Sequence, residues 1–219
     1  MKRKLVLYII LLLMVAGGGG IGYYYWYQGS HYVTTEDARV AGDIYRVMPR
    51  IAGKLTMLKI HEGDVVVADQ IVGQQDTTNL TTSLLENAVL RAPITGTVIK
   101  TLAKEGEVVS PGQAVAMVVD EKNLYISANV EETELGRLKL GQKVDITLDA
   151  YPGKLLTGHL SEIGQATNST FALLPAVNTS GNFTKVTQRI PIKVAIDSTA
   201  GIDLTPGLNA EIKVHVKGM

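Results

Sequence analysis

The spacing of apolar and polar positions changes character along the chain. Lys2, Arg3 and Lys4 are followed by an apolar, uncharged run over residues 5–27. A helix of about 20 residues spans a bilayer core of about 30 Å, so the run beginning at Leu5 predicts a transmembrane anchor. Tyr23, Tyr24, Tyr25, Trp26 and Tyr27 crowd its far end, where amphipathic rings suit the membrane–water interface. The basic start puts residues 1–4 in the cytoplasm and the bulk of the chain outside it, by the positive-inside rule. A cleaved export signal with residues 5–16 as its apolar core is the other reading. The run continues past Gly20 into the aromatic residues, which favours an uncleaved anchor. Gly17, Gly18, Gly19 and Gly20 lower helix propensity, but backbone groups in lipid still require intrahelical hydrogen bonds.

Residues 28–31 read as a short polar linker. Beyond them the period shortens. Residues 54–60, 97–102, 144–148 and 190–196 are rich in β-branched and apolar side chains and are separated by glycine-centred turns, which predicts short strands. Residues 131–138 hold enough helix formers for a couple of turns. Residues 165–188 are rich in Asn, Ser and Thr around a short apolar group containing Phe171, Leu173 and Leu174, which predicts a long loop. Loops of that length in compact domains often carry function.

An internal repeat organises the first half. One copy runs Pro49, Gly53, Leu55, then Glu62-Gly63-Asp64-Val65-Val66; the other runs Pro93, Gly96, Val98, then Glu105-Gly106-Glu107-Val108-Val109. Asp69 in the first copy and Gly112 in the second mark a further turn. Each glycine marks a turn or a close backbone approach, and each run of valines a strand. A copy of this size cannot bury its apolar face alone, so the two should pair.

Composition narrows the function classes. Hydrophobic residues make up 46% and charged residues 19%, which suits a packed core. Lys plus Arg and Asp plus Glu number 21 each, so there is no basic excess for nucleic acid. Without cysteine there is no disulfide, thiolate metal site or thiol nucleophile. His31, His61, His159 and His215 are scattered without metal-ligand spacing, and no nucleophile–base order or phosphate-binding loop stands out. Glu131, Glu132 and Glu134 form the densest acidic group and read as a solvated face. Glu36 and Asp37 read as preceding a strand, with partner contact as the functional alternative. Sequons begin at Asn79, Asn168, Asn178 and Asn182 and read as loop composition.

The repeat resembles the two half-motifs of a biotinyl/lipoyl-type β-sandwich. Thr35-Glu36-Asp37-Ala38-Arg39-Val40, Val47-Met48-Pro49-Arg50-Ile51-Ala52-Gly53, Leu90-Arg91-Ala92-Pro93-Ile94-Thr95-Gly96-Thr97-Val98 and Glu107-Val108-Val109-Ser110-Pro111-Gly112-Gln113 resemble membrane fusion proteins of the HlyD family. Phe171-Ala172-Leu173-Leu174-Pro175, Asn182-Phe183-Thr184-Lys185-Val186, Gln188-Arg189-Ile190-Pro191-Ile192 and the closing Leu204-Thr205-Pro206-Gly207-Leu208 resemble its EmrA-type branch.

The resemblance implies a mainly β fold: a transmembrane helix over 5–27, a linker and first barrel strand over 28–46, a lipoyl-like sandwich over 47–121 with a short connector over 77–90, and a β-barrel over 122–219. The first barrel strand would span residues 33–45. Gly53, Gly63, Gly96, Gly106, Gly112 and Gly207 would be structural turns. No cofactor is expected, because lipoyl or biotinyl attachment needs a lysine and none lies between Lys59 and Lys100.

The implied function is that of a non-enzymatic, extracytoplasmic adaptor of an export system. Its partner would be a transporter of the cytoplasmic membrane, typically a drug:proton antiporter of the major facilitator type, and it would form a homo-oligomer. Glu36, Asp37, Phe171, Leu173, Leu174, Asn182, Gln188 and Arg189 are the candidate partner contacts. Family members that reach an outer-membrane channel insert a long helical hairpin between the lipoyl halves. The connector 77–90 is too short for one, which implies a single-membrane pump or reach supplied by another subunit. A surface-anchored scaffold with the same fold but no pump is the competing reading.

Overall fold

The computed structural model describes residues 2–78, 80–171, 187–199 and 201–216, with side chains of the N-terminal helix described from Leu11 onward. That helix, α1, runs Lys2–His31. It does not stop at Tyr27: the stretch expected to be a linker, Gln28 to His31, is its last turn. The described chain then divides into two compact units.

One unit holds α1 and a closed six-stranded barrel in the order β1 (Tyr32–Ala41), β10 (Tyr125–Glu131), β13 (Arg189–Ser198), β12 (Leu155–Ile163), β11 (Lys143–Leu148), β14 (Asn209–His215). β14 closes the ring by pairing antiparallel with both β1 and β11; Val33 and Val144 both face Val214. The strands alternate inward and outward: Ile126, Ala128 and Val130 of β10, Val144, Ile146 and Leu148 of β11, and Ala210, Ile212 and Val214 of β14 are all buried. Each such Ile or Leu contributes about 1.5–3 kcal/mol by leaving water. The stretch 33–45, expected to be one barrel strand, is broken after Ala41, and Ile44–Val47 forms a separate strand, β2, in the other unit.

That second unit is a sandwich of two four-stranded sheets. The strands are β3 (Gly53–Leu58), β4 (Val65–Val66), β5 (Ile71–Gln75), β6 (Val89–Arg91), β7 (Gly96–Thr101), β8 (Val108–Val109) and β9 (Ala116–Val119). One sheet is ordered β2-β9-β7-β4 and the other β6-β5-β3-β8. The repeat accounts for this order. Each copy keeps a long pair, β3 with β5 and β7 with β9, and gives its short strand to the other copy: β4 pairs with β7, and β8 with β3.

Hydrogen bonds repeat in kind. Gly63 N–H donates to Val98 O at 2.8 Å and Gly106 N–H to Leu55 O at 2.7 Å. Glu62 Oε1 accepts from Thr101 N–H at 3.1 Å, as Glu105 Oε1 does from Leu58 N–H at 2.8 Å. Gln70 and Gln113 each close their own turn with the side-chain oxygen. Leu55, Val66, Val72, Leu90, Val98, Val109 and Val118 pack into one core between the sheets.

The glycines fall into two groups. Gly63, Gly106, Gly112 and Gly207 have φ between +88° and +96°, a region L side chains rarely enter, and Asp69, at the repeat position equivalent to Gly112, shares it at +64°. Gly53 and Gly96, expected as turns, instead open strands β3 and β7, and close approach is what requires glycine there: a Cβ on Gly96 would lie 2.1 Å from Val119 O, and one on Gly53 would crowd the Gln75 side chain at 3.3 Å. Gln75 is buried, and its Nε2 donates to Ile51 O at 3.0 Å. The connector between β5 and β6 contains a short 3₁₀ helix, Thr82–Ala88.

Candidate partner-binding surface

The last carbonyls of a helix have no intrahelical donors. At the end of α1 they are met from the barrel. Arg137 closes the 3₁₀ helix Glu132–Arg137, which occupies the stretch expected to make helical turns. Its Nη2 donates to Gly29 O at 2.6 Å and Tyr32 O at 3.4 Å, while its Nη1 donates to the Glu134 carboxylate. Val216 N–H adds a bond to His31 O at 2.9 Å. A cation at a helix C-terminus is favoured by the helix dipole, and the planar guanidinium fork serves a carboxylate and backbone carbonyls at once. This capping is why the helix continues through a stretch whose own residues are poor at sustaining it.

Beside the clamp lies a groove of about 510 Å³, with Glu36, Asp37, Asn129, Glu134, Arg137 and Arg189 among its lining residues. β1 shifts register against β14 between Thr35 and Ala38. Glu36 and Asp37 therefore sit inside a strand, at a bulge, rather than ahead of one. Bulges re-aim side chains, and these two are exposed. The Thr35 hydroxyl holds the bulge by donating to Asn129 O at 2.8 Å and accepting from Asp37 N–H at 3.1 Å. Arg189, at the start of β13, donates to the Asp37 carboxylate. The two side chains are 52% and 45% exposed, so the pair adds little to stability.

Glu36, Asp37 and Arg189 thus meet in one groove. Gln188 borders them through its backbone, its carbonyl accepting from Glu132 N–H at 2.9 Å. Phe171 ends the 3₁₀ turn Asn168–Phe171, with its side chain outside the described residues; Leu173, Leu174 and Asn182 also lie outside them. On α1, Tyr23 and Trp26 are exposed and Tyr27 stacks on His31 at 4.0 Å, while the Leu5 side chain is outside the description. Among the described residues no helix is long and apolar enough to cross a membrane, and no three His, Cys, Asp or Glu side chains converge as metal ligands. Sequence reasoning missed Arg137. The Glu134–Arg137 spacing on one short helix was its only local signal; the carbonyls it caps are about a hundred positions away in the chain.

The fold agrees with the comparisons. The family described as "RND MFP, barrel-sandwich hybrid domain" matches residues 43–121, and that described as "AAEA-like beta-barrel domain" matches residues 123–215. The "Putative efflux system component YhbJ" of Bacillus subtilis is 37% identical over 191 residues, covering 85% of this chain and 81% of its own. The chain belongs to the HlyD family of membrane fusion proteins, in its EmrA-type branch. Within that branch, "Colistin resistance protein EmrA" of Acinetobacter baumannii is 37% identical over 134 residues, 61% of this chain but only 38% of its own length. The solved structure of the periplasmic adaptor protein EmrA superposes with a TM-score of 0.56 at 16% identity, over 85% of this chain and 99% of that one; at that identity the likeness speaks for the fold.

Proposed function

We propose that this membrane fusion protein is the adaptor subunit of an export or multidrug efflux system, working by binding rather than catalysis. The observation that carries the reading is the Arg137 clamp, which joins the helix expected to lie in the membrane directly to the barrel of an EmrA-type adaptor. The names of the relatives, an efflux component and a resistance protein, support the same role. In this reading α1 is a single-pass anchor with its basic start in the cytoplasm, and the barrel and sandwich are extracytoplasmic. The partner is a transporter of the cytoplasmic membrane, of the major facilitator type, and the groove containing Glu36, Asp37 and Arg189 meets it. Copies of the chain associate into a ring; Val65 and Val108, equivalent in the two repeats and 70% and 69% exposed, supply apolar surface for it. No cofactor takes part, and the connector between β5 and β6 does not dock on an outer-membrane channel.

The test is removal of the gene followed by measurement of compound accumulation and resistance. Wild-type chain should restore export and co-purify with one transporter from detergent-solubilised membranes. Asp37→Arg should restore neither, and combining it with Arg189→Asp should return part of both. Unchanged resistance across a broad compound panel, with no transporter recovered, would remove the proposal.

A further inference from the structure

Next to the clamp, the turn joining the 3₁₀ helix to β11 presents an apolar side chain to solvent. Leu140 is 65% exposed, yet its surroundings are tightly built. Gln142 N–H donates to Lys139 O at 3.3 Å, and Gly141, at the third position of the turn, has φ +81°, as a type II turn requires. The Gln142 side chain fastens both flanks: Oε1 accepts from Lys139 N–H at 2.9 Å and Nε2 donates to Arg137 O at 3.0 Å. Gly141 N–H is tied to Leu160 O at 2.8 Å. A floppy loop would fold its leucine back onto the barrel; this one holds it away.

The turn borders a concavity of about 730 Å³ whose lining includes Ser30 of α1, Arg137, Lys139, Lys143 and His215, and no carboxylate. The nearby acids are Glu134, already paired with Arg137, and Asp145, held by His215 Nε2 at 2.7 Å and standing 3.7 Å from Lys143 Nζ. Among the described residues no carboxylate pairs with Lys139. An exposed leucine flanked by Lys139, which no described carboxylate pairs, and by Lys143, 63% exposed and only loosely paired with Asp145, is a pattern that suits a membrane surface: apolar burial and phosphate attraction act together.

Height agrees. Ser30 lies three residues beyond Tyr27, about 4.5 Å along a helix. If the aromatic cluster sits at the interface, the concavity is at the level of the lipid phosphates. This step rests on the reading of α1 as the anchor.

We propose that the Lys139–Gln142 turn, with Lys143, is a docking site for the headgroup of an anionic phospholipid: Leu140 enters the acyl boundary while Lys139 and Lys143 hold the headgroup phosphate. The bilayer then orients the barrel as well as tethering it.

The chain has no cysteine, so single-cysteine labelling is clean. Full-length Leu140→Cys, carrying an environment-sensitive fluorophore, is placed in nanodiscs of phosphatidylcholine alone or mixed with phosphatidylglycerol. Tyr27→Cys is labelled in parallel. The expected result is a blue-shifted label at position 140, quenched by lipid-borne quencher several-fold more with phosphatidylglycerol present. Lys139→Glu with Lys143→Glu should abolish that difference while the circular dichroism of the barrel is unchanged. A label at 27 in lipid with one at 140 in water under both compositions overturns the lipid site but leaves the anchor. Water exposure at both positions overturns both. A response at 140 that needs an added transporter, or that inorganic phosphate removes without lipid dependence, also overturns it.

Discussion

The sandwich and the barrel solve the same closure problem from opposite starting points. The sandwich is assembled from two copies of one short pattern, and each copy completes the other's sheet with a two-residue strand. The barrel repeats nothing: β1 comes from before the sandwich and pairs with β14, the last described strand. A repeat can specify its turns locally, because the same turn must work twice. A closure between chain ends depends on contacts that no local window contains. Damage to the sandwich should therefore follow individual turn and contact positions, whereas damage to the barrel should follow its long-range ties.

The largest expected effect is in the sandwich. Gly96→Val would place a side chain where Val119 O already lies, 2.1 Å from the Cβ position. With backbone on both sides there is no cheap relaxation, and we expect a loss of about 4 kcal/mol or more. Thermal melting should show the sandwich transition collapse before the barrel's. A melting curve close to wild type would show that β7 and β9 can part at this point.

Next is the clamp. Arg137→Ala strips the cap from Gly29 and Tyr32 and leaves Glu134 without its partner. A loss of roughly 1–2 kcal/mol is expected, reduced by the partial exposure of the pair. Hydrogen exchange should speed up over residues 28–33 while the sandwich stays protected. Faster exchange in the sandwich instead would contradict the division between the two units.

The turn glycines provide an internal control. Gly63→Val and Gly106→Val both force a β-branched residue to positive φ with open space around it, so each should cost about 1–3 kcal/mol. The two losses should match, because the positions are equivalent. A large inequality would mean the copies are not interchangeable.

The smallest effect is electrostatic. The Asp76 carboxyl is held below its ordinary value by the Thr78 hydroxyl, then by the Thr78 N–H, with Lys54 helping. Its stabilisation is present above the ordinary aspartate value and is lost as pH falls through the lower folded value. Thr78→Ala should move the titration seen by carboxyl NMR upward, with scarcely any change in melting, since the group is fully exposed.

These contrasts explain what could be read beforehand. The repeat exposed the sandwich turns because Gly63 and Gly106, and Asp69 and Gly112, occupy equivalent positions under the same φ requirement. The strand alternation of Val144, Ile146 and Leu148 was visible for the same local reason. The end of α1 was not. Gln28, Gly29 and Ser30 look like a linker until a distant arginine caps them. The break after Ala41 was also hidden: a Cβ on Gly42 would lie 2.6 Å from Leu124 Cδ2, a contact set by the fold. In the groove, Glu36, Asp37 and Arg189 were suggested by family likeness, but their meeting depends on a bulge that only strand pairing reveals.

The pairing of β5 with β6 has a consequence for what this chain can be made to carry. These neighbours are antiparallel in one sheet, Gly73 facing Leu90 and Gln74 facing Val89, and the described residues between them, 76–78 and 80–88, belong to no strand. No other strand pair depends on that path. Lengthening such a loop adds closure entropy slowly, about 0.6 kcal/mol per doubling. The position behaves as a splice port: a folded insert with closely spaced termini would ride on the sandwich without altering its registers. A graft there would add length to the protein while leaving the helix–barrel junction and the lipid-facing turn untouched.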